Sequence, residues 1–230
     1  MNVGQPDIAV TNGAVITPDG VVPDGHVLIE GGRITAVRRG PSEAQAIDAQ
    51  GGWICPGFID LQFNGAHGID LTRQPERIDE LAELRPQDGV TAFLPTIVTC
   101  APELRTAALD AWRRRDGDRA GSAVPLGLHL EGPMLAPIRR GAHHASLLEP
   151  PSPELVAGWS RADGVELVTL APELPGAVEV IATLAGRGVV VSLGHTDASA
   201  EQFVAGLAAG ATYVTHLFNG MRPFGHRDPG

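Results

Sequence analysis

Apolar and polar positions along the chain change their pattern near residue 53. Before it, short stretches rich in Val, Ile and Thr (8–10, 14–17, 26–30 and 33–37) are separated by Asn12-Gly13, Asp19-Gly20 and Gly31-Gly32. β-branched runs bounded by such pairs predict strands. Gly31-Gly32 predicts a tight hairpin, because both central residues of a type I′ turn need positive φ. Four short strands make a thin core. Residues 1–52 are therefore expected to form a small antiparallel β domain, part of a β-sandwich, that packs on something else.

From residue 53 onward, nearly continuous apolar runs alternate with amphipathic stretches. The runs are 54–63, 90–96, 125–130, 165–171, 189–194 and 213–218, and they suit strands covered on both faces of a parallel sheet. Helices are predicted over 76–87 behind Pro75, over 103–115, over 175–187 and over 197–209. The last has Asp197 as its expected N-cap, Phe203 and Leu207 one turn apart, and Gly210 as its stop. Six β-then-α units mean an α/β fold. The polar residues Gln62, Asn64, Thr96, Glu131, Glu173, His195, His216 and Asn219 fall at or just past the ends of apolar runs. Strand ends converge in a closed barrel, and active sites form there. The first run leads into LQFNGAHG, without the GxGxxG spacing of a dinucleotide-binding sheet. The expected fold is thus a (β/α)8 TIM-like barrel over residues 53–230. A full barrel takes about 250 residues and eight strands, so this one is expected to be incomplete, with 223–230 as a loop and the sequence as a fragment of a longer protein.

Composition narrows the function. Aromatic residues are only 4% of the chain, so the core must be aliphatic. A net charge of −10 disfavours binding to nucleic acid. No apolar run reaches the length of a membrane span, about eighteen residues or more, and the first ten residues lack the pattern of a secretory signal. Cys55 and Cys100 form no CxxC pair and are expected as free thiols in a reducing, cytoplasmic setting.

Glu131 in LGLHLEGP, His195 in VSLGHTDAS and His216 in YVTHLFNG are the candidate metal ligands. Two imidazoles and one carboxylate suit zinc and leave a position for water, which becomes acidic enough to attack an amide carbonyl. One histidine after a strand is more often structural. Three such residues after the third, fifth and sixth runs are a different matter, because a barrel brings those ends together.

The segments PGFIDLQFNG (56–65), FLPTIVT (93–99), GLHLEGPML (127–135), GAHH (141–144), TLAPE (169–173), VSLGHTDAS (191–199) and THLFNGM (215–221) resemble N-acetylglucosamine-6-phosphate deacetylases of the amidohydrolase superfamily. The resemblance covers nearly all of the chain. It implies that Glu131, His195 and His216 hold one divalent ion, zinc first, with iron, cobalt or manganese able to use the same donors. It implies that His143 hydrogen-bonds the acetamide carbonyl and is catalytic, and that Asn219, Gly220 and Arg227 grip the sugar phosphate. His144 is expected to be only an exposed neighbour. Where many superfamily members carry His-x-His, this chain has Gln62-Phe63-Asn64. Amides are poor zinc ligands, so one metal rather than two is expected. The general-base Asp of the resemblance has no matching position: Asp197 and Asp228 do not fit its motif.

The implied reaction is hydrolysis of the N-acetyl group of N-acetylglucosamine 6-phosphate to glucosamine 6-phosphate and acetate, impaired in this chain alone. The implied partners are a small amino-sugar phosphate and a second copy in a homodimer. Two alternatives stay open: an amidohydrolase acting on a cyclic amide, and a non-catalytic sugar-phosphate-binding fragment. All 17 basic residues are Arg, which removes the bridging Lys that two-metal cyclic-amide enzymes use.

Overall fold

The computed structural model describes residues 8–42, 44–227 and 229. It divides into two compact units, Met1–Gly57 and Phe58–Gly230.

The first unit is one mixed sheet. Strands β1 (Ile8–Thr17), β2 (Gly20–Glu30) and β3 (Arg33–Arg39) form an antiparallel meander, and β4 (Ala46–Asp48) and β5 (Trp53–Ile54) pair parallel with β1. The Gly31-Gly32 hairpin forms as expected, with both residues at positive φ (54° and 73°) and Glu30 opposite Arg33. The expected turn at Asn12-Gly13 does not form. The stretches 8–10 and 14–17 are one strand, interrupted by register shifts around Gly13. Asn12 takes φ 56° and bonds Asp48 through its side-chain amide at 2.7 Å. A Cβ at Gly13 would lie 2.7 Å from the Gly52 carbonyl. The Asn-Gly pair therefore makes a bulge that admits the returning chain, and the sheet is mixed where an antiparallel one was expected.

The second unit is built on parallel pairs in the order β12-β11-β10-β9-β7-β6, with β8 paired to β7. The strands are β6 (Phe58–Phe63), β7 (Val90–Val98), β8 (Val124–Pro125), β9 (Leu128–Glu131), β10 (Val165–Leu170), β11 (Val190–Leu193) and β12 (Tyr213–Val214). Helices α1 (Ile78–Leu84), α2 (Pro102–Arg113), α3 (Ala177–Gly186) and α4 (Ala200–Ala208) lie between them in sequence. No described helix is long and apolar enough to cross a membrane.

Several runs break where local chemistry demands it. The run 54–63 divides at Pro56-Gly57, so Ile54 pairs in β5 of the first unit while β6 opens the second. The run 125–130 divides at Gly127 (φ 144°), where a Cβ would sit 2.5 Å from Glu166 Cβ. The run 213–218 is a strand for two residues only, because His216 (φ 56°) and Phe218 (φ 66°) turn left-handed. Pro75 opens a 3-10 turn ahead of α1 rather than α1 itself.

Asp197 does not cap α4. Ser199 does, accepting from Gln202 N–H in a full capping box, while Asp197 is bonded by Arg139 at 2.7 Å. The serine stands three residues before a glutamine that returns the bond; the aspartate has a guanidinium to neutralise it instead.

The core is aliphatic, as composition requires. Leu128, Leu130, Leu170, Val191 and Leu193 from the strands pack with Ile78, Leu81, Ala108, Ile181 and Leu184 from the helices. Phe63 and Phe93 meet edge to face at 5.3 Å.

Candidate metal centre

Glu131 is the last residue of β9, His195 follows β11 by two residues, and His216 follows β12 by two. Because these strands run parallel in one sheet, their C-terminal ends face the same way. One ligand atom from each of the three residues lies within 4.8 Å of the others. The Nε2 atoms of His195 and His216 are each 3.2 Å from Glu131 Oε1. His143 completes the cluster, with Nε2 3.7 Å from Glu131 Oε2. Glu131, His143 and His195 are buried, and His216 is about a third exposed on its solvent side.

Backbone conformation is part of the construction. His195 (φ 48°) and His216 (φ 56°) both adopt the left-handed region, rare for residues with a Cβ. Such strain persists only where surrounding structure holds it, and it gathers at functional sites. Gly194 makes room for it: a Cβ there would lie 2.9 Å from Thr215 Cβ and 3.0 Å from Thr169 Cγ2.

The donor set fits a divalent cation. The Nδ1 of His195 is 2.9 Å from the Arg139 carbonyl and its Nε2 is 3.2 Å from Glu131 Oε1; both partners only accept, so with hydrogen on Nδ1 the Nε2 faces the carboxylate either with a second N–H, as the imidazolium, or with a lone pair. A lone pair and a carboxylate oxygen at that distance repel unless a proton or a metal lies between them. Electrostatics agree. Burial opposes charge on Glu131, but the His195 bond, the neighbouring His143 and His129 and a bond from Gln62 outweigh it and bring the carboxyl down to about 2. Burial likewise opposes charge on His195, yet Glu131 and the Arg139 carbonyl raise its pKa. His143 is lowered, chiefly by burial.

Beneath the cluster runs a belt of buried polar side chains. Thr96 Oγ1 is 3.3 Å from His129 Nδ1, and His129 Nε2 is 2.8 Å from Thr169 Oγ1. Thr169 is 2.9 Å from Thr215 Oγ1, which is 2.7 Å from Ser192 Oγ. The belt crosses from β7 to the end of β12, and His129 and Thr215 are near chain neighbours of Glu131 and His216. Burial holds the His129 pKa at about 4. Sequence analysis singled out Thr96 alone from this belt. Thr99 and Arg139, which anchor His143 and His195, were also missed, and only the FLPTIVT resemblance touched Thr99.

The other expected residues are dispersed. Gln62 reaches Glu131, whereas Asn64 is exposed and its carbonyl accepts from Leu71 N–H. Gly220 sits beside the His195 ring, and its carbonyl accepts from Thr196 N–H at 3.1 Å. Asn219 is exposed, with its N–H on the His216 carbonyl. Arg227 is exposed, and among the described residues no hydrogen bond or ion pair joins it to the cluster. His144 is exposed beside Ser146. Glu173 takes Thr196 Oγ1–H and Asp197 N–H, fixing the turn after His195. Asp228 lies outside the described residues.

No family model matches the chain. Curated relatives and solved structures do. The chain is 38% identical to the human N-acetylglucosamine-6-phosphate deacetylase over 97% of its own length and 53% of the relative's. It is 34% identical to the Bacillus subtilis N-acetylglucosamine-6-phosphate deacetylase over 94% of the chain and 57% of the relative. A mutant of the Mycobacterium smegmatis deacetylase, solved in complex with N-acetyl-D-glucosamine-6-phosphate, superposes with a TM-score of 0.84 at 35% identity, covering 99% of this chain and 59% of that one. The Pasteurella multocida deacetylase superposes at 0.85 with 30% identity, over 97% and 60%. The chain thus spans about half the length of the curated relatives it matches. In sequence and in fold, along almost all of its residues, it is related to the N-acetylglucosamine-6-phosphate deacetylases.

Proposed function

We propose that this chain carries the metal-binding part of an N-acetylglucosamine-6-phosphate deacetylase, an enzyme that hydrolyses the acetamide to glucosamine 6-phosphate and acetate. The observation that carries this reading is the meeting of Glu131, His195 and His216 ligand atoms at three strand ends. In this reading the second unit is about six β/α units of an amidohydrolase barrel. Glu131 and the Nε2 atoms of His195 and His216 would hold one divalent ion, zinc first, with iron, cobalt or manganese as alternatives. When bound, such an ion polarises a carbonyl and acidifies water.

The chain's own residues supply the rest. His143, whose ring lies 4.7 Å from that of His195, would donate to the acetamide oxygen as negative charge develops there. Gln62 steadies the Glu131 carboxylate. Asn219, the Gly220 backbone and Arg227 would take the phosphate, a guanidinium being suited to its geometry. The leaving amine needs a proton carrier. Among the described residues no aspartate joins the cluster, so the chain alone is expected to turn over slowly, since such acid–base help contributes about 10²–10⁴ in rate. The cyclic-amide alternative is not favoured, since the relatives named above are deacetylases.

The test is acetate release from N-acetylglucosamine 6-phosphate by the zinc-loaded chain, alone and with the part of the B. subtilis relative that it does not span supplied in trans. Slow release alone and faster release with the added part support the reading. Bound zinc with no acetate in either case would refute it.

A further inference from the structure

The two buried imidazoles beside Glu131 are anchored by groups of different chemistry. His195 Nδ1 is held by a carbonyl, which only accepts, so this contact is a hydrogen bond only while Nδ1 carries hydrogen. His143 Nδ1 is held by the Thr99 hydroxyl at 2.8 Å. A hydroxyl both donates and accepts. When His143 carries hydrogen on Nδ1, Thr99 accepts it and gives its own proton to the Glu131 carbonyl, 3.2 Å away. When the hydrogen is on Nε2, Thr99 turns its proton to Nδ1. The ring keeps its place in either case.

The surroundings are built for this contact. Thr99 and His143 are both buried, on segments 44 residues apart. Gly132 lies against Thr99, and a Cβ there would overlap Thr99 Oγ1. Arg140 further pins the His143 backbone by donating to its carbonyl at 2.7 Å.

We propose that Thr99 is the positioning residue for His143, holding the imidazole against the Glu131 cluster in both of its tautomers. A group that must donate toward the cluster from Nε2 needs an acceptor-capable Nδ1 with a donor behind it, and Thr99 Oγ1 is the partner bonded to Nδ1. The inference deepens the proposed function only in what His143 does to substrate; the placement of the ring hydrogen stands apart from turnover.

Long-range ¹⁵N–¹H correlation spectra of the 230-residue chain at mildly basic pH report which nitrogen of each histidine bears hydrogen. Thr99→Val removes the hydroxyl at nearly constant shape, and Thr99→Ser retains it. In Thr99→Val the His143 nitrogens should move to a single Nε2–H pattern, with the Nδ1-bound hydrogen lost. Thr99→Ser should match the parent, and His195 should stay Nδ1–H throughout. A merely structural role for Thr99 would disturb both histidines or neither. His143 signals in Thr99→Val that superimpose on the parent would overturn the proposal. If Thr99→Val does not fold, shown by the loss of a cooperative thermal transition, Thr99→Ala takes its place with the same two outcomes. Absence of acetate release by the zinc-loaded parent, both alone and with the added part, would count against the proposed function and leave these spectra unchanged.

Discussion

Replacing Glu131 by Gln separates the two roles of this carboxylate. Gln keeps the shape and removes the charge, so it reproduces the protonated acid. The folded chain holds Glu131 at about 2 against a reference of 4.5, with its side chain only 4% exposed. That difference corresponds to about 3 kcal/mol of folded-state stability at pH 7. The sign follows from the depressed pKa: the contribution is full above 4.5 and is lost as pH falls from 4.5 toward 2. Glu131→Gln should therefore melt roughly 6–12 °C below the parent at pH 7, using the usual conversion for a chain of this size, and the gap should shrink to roughly half or less at pH 3. Zinc should raise the parent's midpoint by RT ln(1 + [L]/Kd), roughly 2.7 kcal/mol at a hundredfold excess over Kd. In the variant that rise should vanish, because a neutral amide is a poor zinc ligand. Differential scanning at pH 7 and pH 3, with and without zinc, reads all four conditions. A variant that melts with the parent and still responds to zinc would refute both the electrostatic account and the ligand assignment.

Thr169→Val should cost about 1–3 kcal/mol in urea denaturation by leaving His129 Nε2 and Thr215 Oγ1 without a shared partner, and Thr169→Ser should restore most of it. Gly127→Ala should destabilise by at least about 2 kcal/mol, since it adds a left-handed backbone penalty to a clash with Glu166; thermal melting measures it. His195 has a raised pKa, so its cationic form stabilises the metal-free chain below 6.5, and that contribution is lost as pH rises through the folded value. Zinc takes the place of that proton, so binding near pH 6.5 should release a proton and tighten as pH rises; calorimetry in buffers of different ionisation heat should show it, and pH-independent binding would count against His195 as ligand.

What was legible in the sequence was what periodicity and strand order carry. A continuous apolar run ends where a polar residue begins, so Glu131, His195 and His216 could be placed at strand ends without coordinates, and parallel order then implied that those ends meet. Gly31-Gly32 was legible because its chemistry admits few alternatives. Asn12-Gly13 was not, because the same pair serves a bulge as well as a turn, and the choice was made by Gly52 and Asp48, some forty residues away. Asp197 was expected as the cap and Ser199 is the cap; the two residue types have similar intrinsic merit there, and Asp197 is taken up by Arg139, fifty-eight residues distant.

The same division runs through the candidate metal centre. Ligand identity is local, since an imidazole or a carboxylate announces itself. Side-chain orientation is not: it depends on the Arg139 carbonyl behind His195, on Thr99 behind His143, and on left-handed backbones that the type of residue at 195 and 216 gives no reason to expect. These supports come from distant segments and are common residue types, so no spacing marks them. The strain they hold at His195 and His216 is coupled to the belt below, because Thr215 precedes His216 and packs against Gly194, which precedes His195. A change in the belt should therefore reach the ligands through two strained backbones at once, and ligand geometry should fail before the aliphatic core around it.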